Sequence, residues 1–305
     1  MSCRNQDLKM SETLNDTAQQ WRSRGAIYKL CGHSIFVVDE GAAERPTLLL
    51  IHGFPTSSWD WHAIWDILAK HYRLIALDML GFGFSDKPNN RRYTIHGQAD
   101  IVEALIEIKQ LTSFHVLAHD YGDTVAQELL ARQVEGTGVG NWLSGCFLNG
   151  GLFPETHRAL FTQRLLLSPI GGLVNRLSNY TKFVRSFTSV FGANSQPNAH
   201  ALETFWTLIN VNQGRHVFHN LITYMRDRLE HRERWVTALQ TSTVPLALIN
   251  GSVDPVSGAH MVARYQELAC RLDCLVQLPN IGHYPQVEAP QDLVSHYQEY
   301  LKRVG

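Results

Sequence analysis

Three residues in this chain have the types and the order for nucleophilic hydrolysis: Asp120, Asp254 and His283. A carboxylate attacks an electrophilic carbon without needing a base. An imidazole can then activate water against the resulting ester, and a second carboxylate can orient that imidazole. Asp120 is singled out by its setting. Phe114 to Ala118 is an apolar run of strand length, and Val125, Ala126, Leu129 and Leu130 recur at helical spacing. Between them stands His119-Asp120-Tyr121-Gly122, with the small residues Ala118 and Gly122 two positions either side of the aspartate. A strand that turns sharply into a helix holds its middle residue exposed only if the flanking residues are small. That is the nucleophile elbow, usually written G-x-S-x-G. Aspartate also begins helices as a cap, and the stretch alone leaves both readings open.

The elements that must position these groups follow from patterning. Residues 1 to about 22 read as a polar arm or short helix. Ala26 to Asp39 alternates around Gly32-His33, which predicts an antiparallel hairpin. Thr47 to Ile51 is a buried strand stopped by His52-Gly53-Phe54-Pro55. Ser57 and Ser58 then cap a helix whose apolar face includes Trp61, Ile64, Trp65 and Leu68. Arg73 to Leu77 is a strand, Ile95 to Leu111 a helix, Phe114 to Ala118 the elbow strand and Gly145 to Leu148 another. Strands alternating with helices imply crossovers and a parallel sheet. From Leu152 to Gln240 the pattern is helical throughout, as expected of a lid inserted between sheet strands. Strands resume at Val244 to Asn250 and Cys274 to Leu278, and Leu293 to Val304 closes the chain as a helix. The division expected is an arm over 1–25, a core over 26–151 and 241–305, and a helical cap over 152–240.

Composition narrows the partners. The chain of 305 residues is 44% hydrophobic and 18% charged, with a formal net charge of −1. That balance fits a folded domain and gives no electrostatic case for nucleic acid or an anionic membrane. A small apolar or amphipathic substrate, with water as co-substrate, fits better. The five cysteines are odd in number and form no C-x-x-C pair, which suits reduced thiols and a cytoplasmic setting. Met1 to Gln20 lacks the apolar core of a signal peptide, and no apolar run reaches the about 18 residues of a membrane span. No metal or cofactor is expected, and no oligomeric state is specified.

In an open parallel sheet, reactive groups gather at the carboxyl ends of strands. His52, Asp78, Asp120, Asp254 and His283 all fall there. His52 and Asp78 read as structural, and so does Asp123, whose charge would suit the first turn of a helix. The order nucleophile, acid, histidine is that of α/β-hydrolases. The sequence resembles the epoxide hydrolase and haloalkane dehalogenase branch of that superfamily. The likeness is carried by His52-Gly53-Phe54-Pro55, the run Asp78 to Pro88, His119-Asp120-Tyr121-Gly122 and Gly282-His283-Tyr284-Pro285-Gln286. Longer shared wording, including Phe153-Pro154-Glu155-Thr156-His157-Arg158, is similar to the subgroup of mesoderm-specific transcript proteins. The resemblance runs from about Gly32 to the end and implies an α/β-hydrolase fold. That fold is a mostly parallel eight-stranded sheet with helices on both faces and an inserted helical cap.

The resemblance also implies roles. Asp120 would form an alkyl ester, and His283, oriented by Asp254, would activate water against it. The backbone N–H groups of Phe54 and Tyr121 would form the oxyanion hole. Dehalogenases of this branch carry tryptophan after the nucleophile, and many carry asparagine at the position of Phe54. Tyr121 and Phe54 depart from both, which favours epoxides. Epoxide hydrolases use cap tyrosines as proton donors, for which Tyr180 and Tyr224 are the candidates. Haloalkane hydrolysis, another small-molecule hydrolysis and ligand binding without turnover are the alternatives. The cap aromatics Phe161, Phe183, Phe187, Phe191, Phe205, Trp206 and Phe218 serve either a pocket or the cap's own packing.

Overall fold

The computed structural model describes residues 14–304, so most of the expected N-terminal arm lies outside the described residues. Its last part forms the helix Asp16–Ser23, capped by Asn15, whose Oδ1 accepts the N–H of Ala18 at 2.9 Å. Trp21 fastens this helix to the body of the protein, meeting Trp65 edge to face at 5.1 Å.

Eight strands follow: β1 (Gly25–Leu30), β2 (His33–Glu40), β3 (Thr47–Ile51), β4 (Arg73–Leu77), β5 (Ser113–His119), β6 (Asn141–Leu148), β7 (Leu246–Gly251) and β8 (Cys274–Leu278). They form one sheet in the order β1-β2-β4-β3-β5-β6-β7-β8. β2 pairs antiparallel with β1 and β4, and every pairing from β4 onward is parallel. Strands buried on both faces need apolar residues at every position. Leu48, Leu49, Leu50 and Ile51 are accordingly buried, split between two clusters on opposite faces of the sheet. Each such side chain contributes roughly 1.5–3 kcal/mol of burial.

Some boundaries differ from the sequence reading. β6 starts at Asn141 rather than Gly145, because Ser144 pairs beside His115 past a register shift at Phe114/His115, and the two side chains hydrogen-bond at 2.8 Å. The helix from Ile95 ends at Ile108, followed by Gln110 with φ +53°. The closing helix begins at Pro290, as proline suits a first helical position. Ser57 caps a 3-10 turn over Ser58–Trp61, but Ser58 does not act as a cap. Its hydroxyl donates to Asp78 Oδ1 at 2.6 Å instead.

Between β6 and β7 the described residues are helical and contain no strand. The helices Tyr180–Thr188 and Ala199–Asn210 pack through Phe183, Phe187 and Phe205. The helix Tyr224–Glu230 turns back toward the sheet. The last of the group, Arg232–Thr241, packs on the helix Tyr121–Val134, with Trp235 Nε1 donating to Glu128 Oε2 at 2.8 Å.

Candidate active site

Asp120 sits between the end of β5 and the helix Tyr121–Val134, with φ +48° and ψ −106°. A non-glycine residue in such a conformation costs about 1–3 kcal/mol and persists only where its surroundings enforce it. Gly122 provides that setting, since a Cβ there would overlap the carbonyl oxygen of Ile51. Gly53 adds to it, because a Cβ there would lie 3.0 Å from the Cβ of Asp120. The helix-cap alternative does not hold: the Asp120 side chain makes no capping hydrogen bond. Its Oδ2 instead accepts the backbone N–H of Phe54 at 3.0 Å. Tyr121 supplies the first N–H of the helix, one of the four that have no partner within it. Burial alone would raise the Asp120 carboxyl. The charges of His283, His119 and Arg228 outweigh it and hold the group well below the usual carboxylate range.

His283 lies in the loop after β8 and is 5% exposed. Its Nδ1 is 2.8 Å from Asp254 Oδ2, and its Nε2 is 3.9 Å from Asp120 Oδ1. Burial favours the neutral imidazole, but the two carboxylates reverse this and push His283 well above its ordinary value. Asp254 is held in turn by the N–H of Val256 at 2.8 Å, the N–H of Ser257 at 3.1 Å and the amide of Asn149 at 3.1 Å. Despite its burial these partners and His283 keep it ionised, below its ordinary range.

Two positioning groups escaped the sequence reading. Asn149, at φ +46°, also clamps Gly251 through both atoms of its amide, at 3.0 and 2.7 Å. His119 donates from Nε2 to the carbonyl of His283 at 2.8 Å. Each stands at the carboxyl end of a strand, which was the available signal.

His52 and Asp78 hold the neighbouring loops in place. His52 Nδ1 donates to the carbonyl of Gly53 at 2.8 Å and Nε2 accepts the N–H of Met79 at 3.0 Å, which fixes the neutral tautomer. Asp78 accepts from Ser58 and from the N–H of Phe84. Asp123 departs from expectation. It is fully buried, and neither oxygen has a hydrogen-bond partner. Burial, reinforced by the charge of Asp120, raises it well above its ordinary value, which favours the protonated acid over a charge at a helix end.

Of the two tyrosines, the structure brings only Tyr224 to Asp120's surroundings. Its ring stands 4.7 Å from Tyr121 and 6.5 Å from Phe54, and its buried hydroxyl has no partner among the described residues. The aromatic contacts of Tyr180 are Phe183 at 6.4 Å and Trp206 at 6.0 Å, within the helical segment itself. Most of the segment's aromatics pack against one another and against Tyr284. Phe161 is exposed, and Phe218 reaches Phe54 at 5.3 Å. A surface pocket of about 320 Å³ lies beside the His283 loop, lined by Asn280, Glu288 and Pro290 among others, and Asp120 does not line it. No group of three or more His, Cys, Asp or Glu among the described residues could hold a metal. No helix among them is long and apolar enough to cross a membrane.

Comparison with known proteins agrees with this fold. Residues 46–137 match the family described as the alpha/beta hydrolase fold. The chain is 41% identical over 300 residues to the mesoderm-specific transcript homolog protein of Bos taurus, covering 94% of this chain and 89% of that one. The protein of the same name from Homo sapiens is also 41% identical, with the same coverage. Among solved structures, a haloalkane dehalogenase loop variant from Bradyrhizobium elkanii superposes with a TM-score of 0.75 at 21% identity, covering 92% of this chain and 96% of that one. The chain belongs to the α/β-hydrolase family, alongside the mesoderm-specific transcript proteins.

Proposed function

We propose that this hydrolase acts through Asp120 as nucleophile, with His283 and Asp254 as base and orienting acid, and that it opens epoxides to diols. The observation that carries the reading is Asp120 itself: a buried, ionised carboxylate on a strained turn, facing His283 at 3.9 Å and the N–H of Phe54 at 3.0 Å. The helices between β6 and β7 act as a cap that contributes Tyr224.

In the first step an Asp120 oxygen bonds to an epoxide carbon, and that carbon's bond to the ring oxygen breaks. The ring oxygen takes a proton from the Tyr224 hydroxyl, which is replenished from the imidazolium of His283. Esterification removes the negative charge of Asp120, one of the two that hold His283 protonated. The imidazole, now neutral, takes a proton from water. The hydroxide attacks the carbonyl carbon of the ester, whose oxyanion meets the N–H groups of Phe54 and Tyr121. Collapse expels the diol's oxygen, which takes the proton of the added hydroxyl, and the regenerated Asp120 carboxylate keeps one oxygen from water. A buried phenol free of other partners suits an opening epoxide, whereas a departing halide needs no proton. That is the reason to place epoxides first.

A single turnover in heavy-oxygen water tests the route. Peptide mass analysis should then find the label in the Asp120 carboxylate, and an unlabelled Asp120 after product formation overturns the covalent mechanism. Assays on terminal and internal epoxides beside chloro- and bromoalkanes decide the leaving group.

A further inference from the structure

Among the described residues Arg228 is the largest charged side chain that is fully buried, 1% exposed, and it lies beside the candidate site. Its guanidinium packs over the ring of Tyr224 at 4.5 Å, and its charge acts on Asp120. Its hydrogen bonds among the described residues go to neutral groups: Nε donates to Thr124 Oγ1 at 2.8 Å and Nη1 to His157 Nδ1 at 3.3 Å. Nη2 has no partner. The neighbouring carboxylate of Asp227 is taken by Arg92 and by the N–H of Ile95. Asp123 favours its protonated form.

His157 completes the arrangement. A guanidinium only donates, so Nδ1 of His157 must be bare, and the proton of the neutral ring sits on Nε2. That N–H is also buried without a partner. Burial and then Arg228 push His157 down to about 3, consistent with the neutral ring. The loop that carries it is pinned, because Glu155 binds Arg232 and Arg264 and the N–H of Arg158 donates to the carbonyl of Val256 at 3.3 Å. Gly151 leaves room for the pair: a Cβ there would come within 2.9 Å of both Arg228 Cζ and His157 Nδ1.

We infer that Arg228, oriented by His157, is a seat for the carboxylate of an acidic, amphipathic substrate whose reactive carbon faces Asp120. The inference rests on the reading of Asp120 as nucleophile. The unpartnered Nη2 donor belongs to a permanently charged guanidinium, which suits a carboxylate oxygen. The charge count points the same way. Once Asp120 is esterified, the buried guanidinium loses its nearby negative partner, and a substrate carboxylate restores one. Phe218 and Phe54 offer an apolar surface for the rest of such a molecule.

The test is binding without turnover. Straight-chain carboxylates from acetate to decanoate are titrated against wild-type enzyme beside the matched primary alcohols, with sodium bromide as a third ligand. The carboxylates should bind roughly tenfold or more tightly than the alcohols, as expected for charged hydrogen bonds. Arg228→Gln should abolish that preference, and Arg228→Lys should keep part of it. Equal binding of acid and alcohol by wild type overturns the seat, as does an undiminished acid preference in Arg228→Gln. Bromide competing as strongly as the carboxylates overturns it in favour of a halide site. If Arg228→Gln does not fold, the wild-type comparison and His157→Phe, which should weaken acid binding, still decide. Acid preference without label in Asp120 overturns the nucleophile alone, and label without acid preference overturns the seat alone.

Discussion

The Nε2 atom of His283 lies 3.9 Å from Oδ1 of Asp120, too far for a hydrogen bond and near enough for each charge to stabilise the other. The imidazole is therefore not needed to deprotonate Asp120, which is already ionised. In the proposed mechanism its work as a base falls in the second step. His283→Gln should form the ester and then stall, with breakdown slowed by roughly 10²–10⁴. Intact-protein mass spectrometry would show the substrate's mass added and persisting. Full turnover by this variant would show that His283 is not the base.

The two steps should respond differently to pH. Asp120 is held low, so ester formation changes little from pH 5 to 8 on its account. Ester breakdown needs neutral His283. Two carboxylates raise that group in the resting enzyme, and after esterification only Asp254 remains. Below the pKa of the esterified state, breakdown should fall about tenfold per pH unit. Single-turnover traces at several pH values separate the steps, and a breakdown rate that is flat through pH 5 to 8 contradicts this account.

Asp123 should cost stability as pH rises. Its folded value is raised, so the folded chain keeps a proton that the unfolded chain releases above about pH 4. Stability from this residue is thus highest in acid and is lost as pH climbs from the unfolded value toward the folded one. Asp123→Asn removes the titration while keeping the shape. The variant's advantage in urea unfolding should grow between pH 4.5 and 6, and histidine titration, common to both chains, cancels in the difference. A constant difference over that window would mean Asp123 is not held neutral.

Two glycines should respond oppositely to alanine. Gly122→Ala drives a methyl group into the backbone of Ile51 and should cost about 1–3 kcal/mol or more, with loss of activity as the Asp120 turn shifts. Gly172, in the helix Gly171–Leu177, has nothing within 4 Å of a Cβ, and Gly172→Ala should stabilise by about 0.4–1 kcal/mol. Thermal unfolding of the pair measures both. A stable, active Gly122→Ala would show the elbow to be looser than its contacts indicate.

The elbow, the strands and the order of the three polar groups were legible because each follows from local pattern: short apolar runs, flanking small residues, and acids or histidines where a strand stops. What depends on distant packing was not. Asp123 looks like a favourable first-turn acid until the sheet buries it. Ser58 has the composition of a cap but is recruited by Asp78, twenty residues on. Tyr180 and Tyr224 look alike along the chain, yet the helix of Tyr224 folds back onto Tyr121 while Tyr180 joins Phe183 and Trp206. Arg228 gave no signal at all, because a lone arginine on a helix is ordinarily solvated.

The bond from His119 to the carbonyl of His283 has a mechanical meaning. It splices the loop after β8 to the strand tip that carries Asp120, across a neighbour-to-neighbour distance that the intervening chain of more than a hundred residues could not otherwise police. A displacement of the central strand would be passed to the distal loop through this bond, which favours constant spacing between the reacting partners.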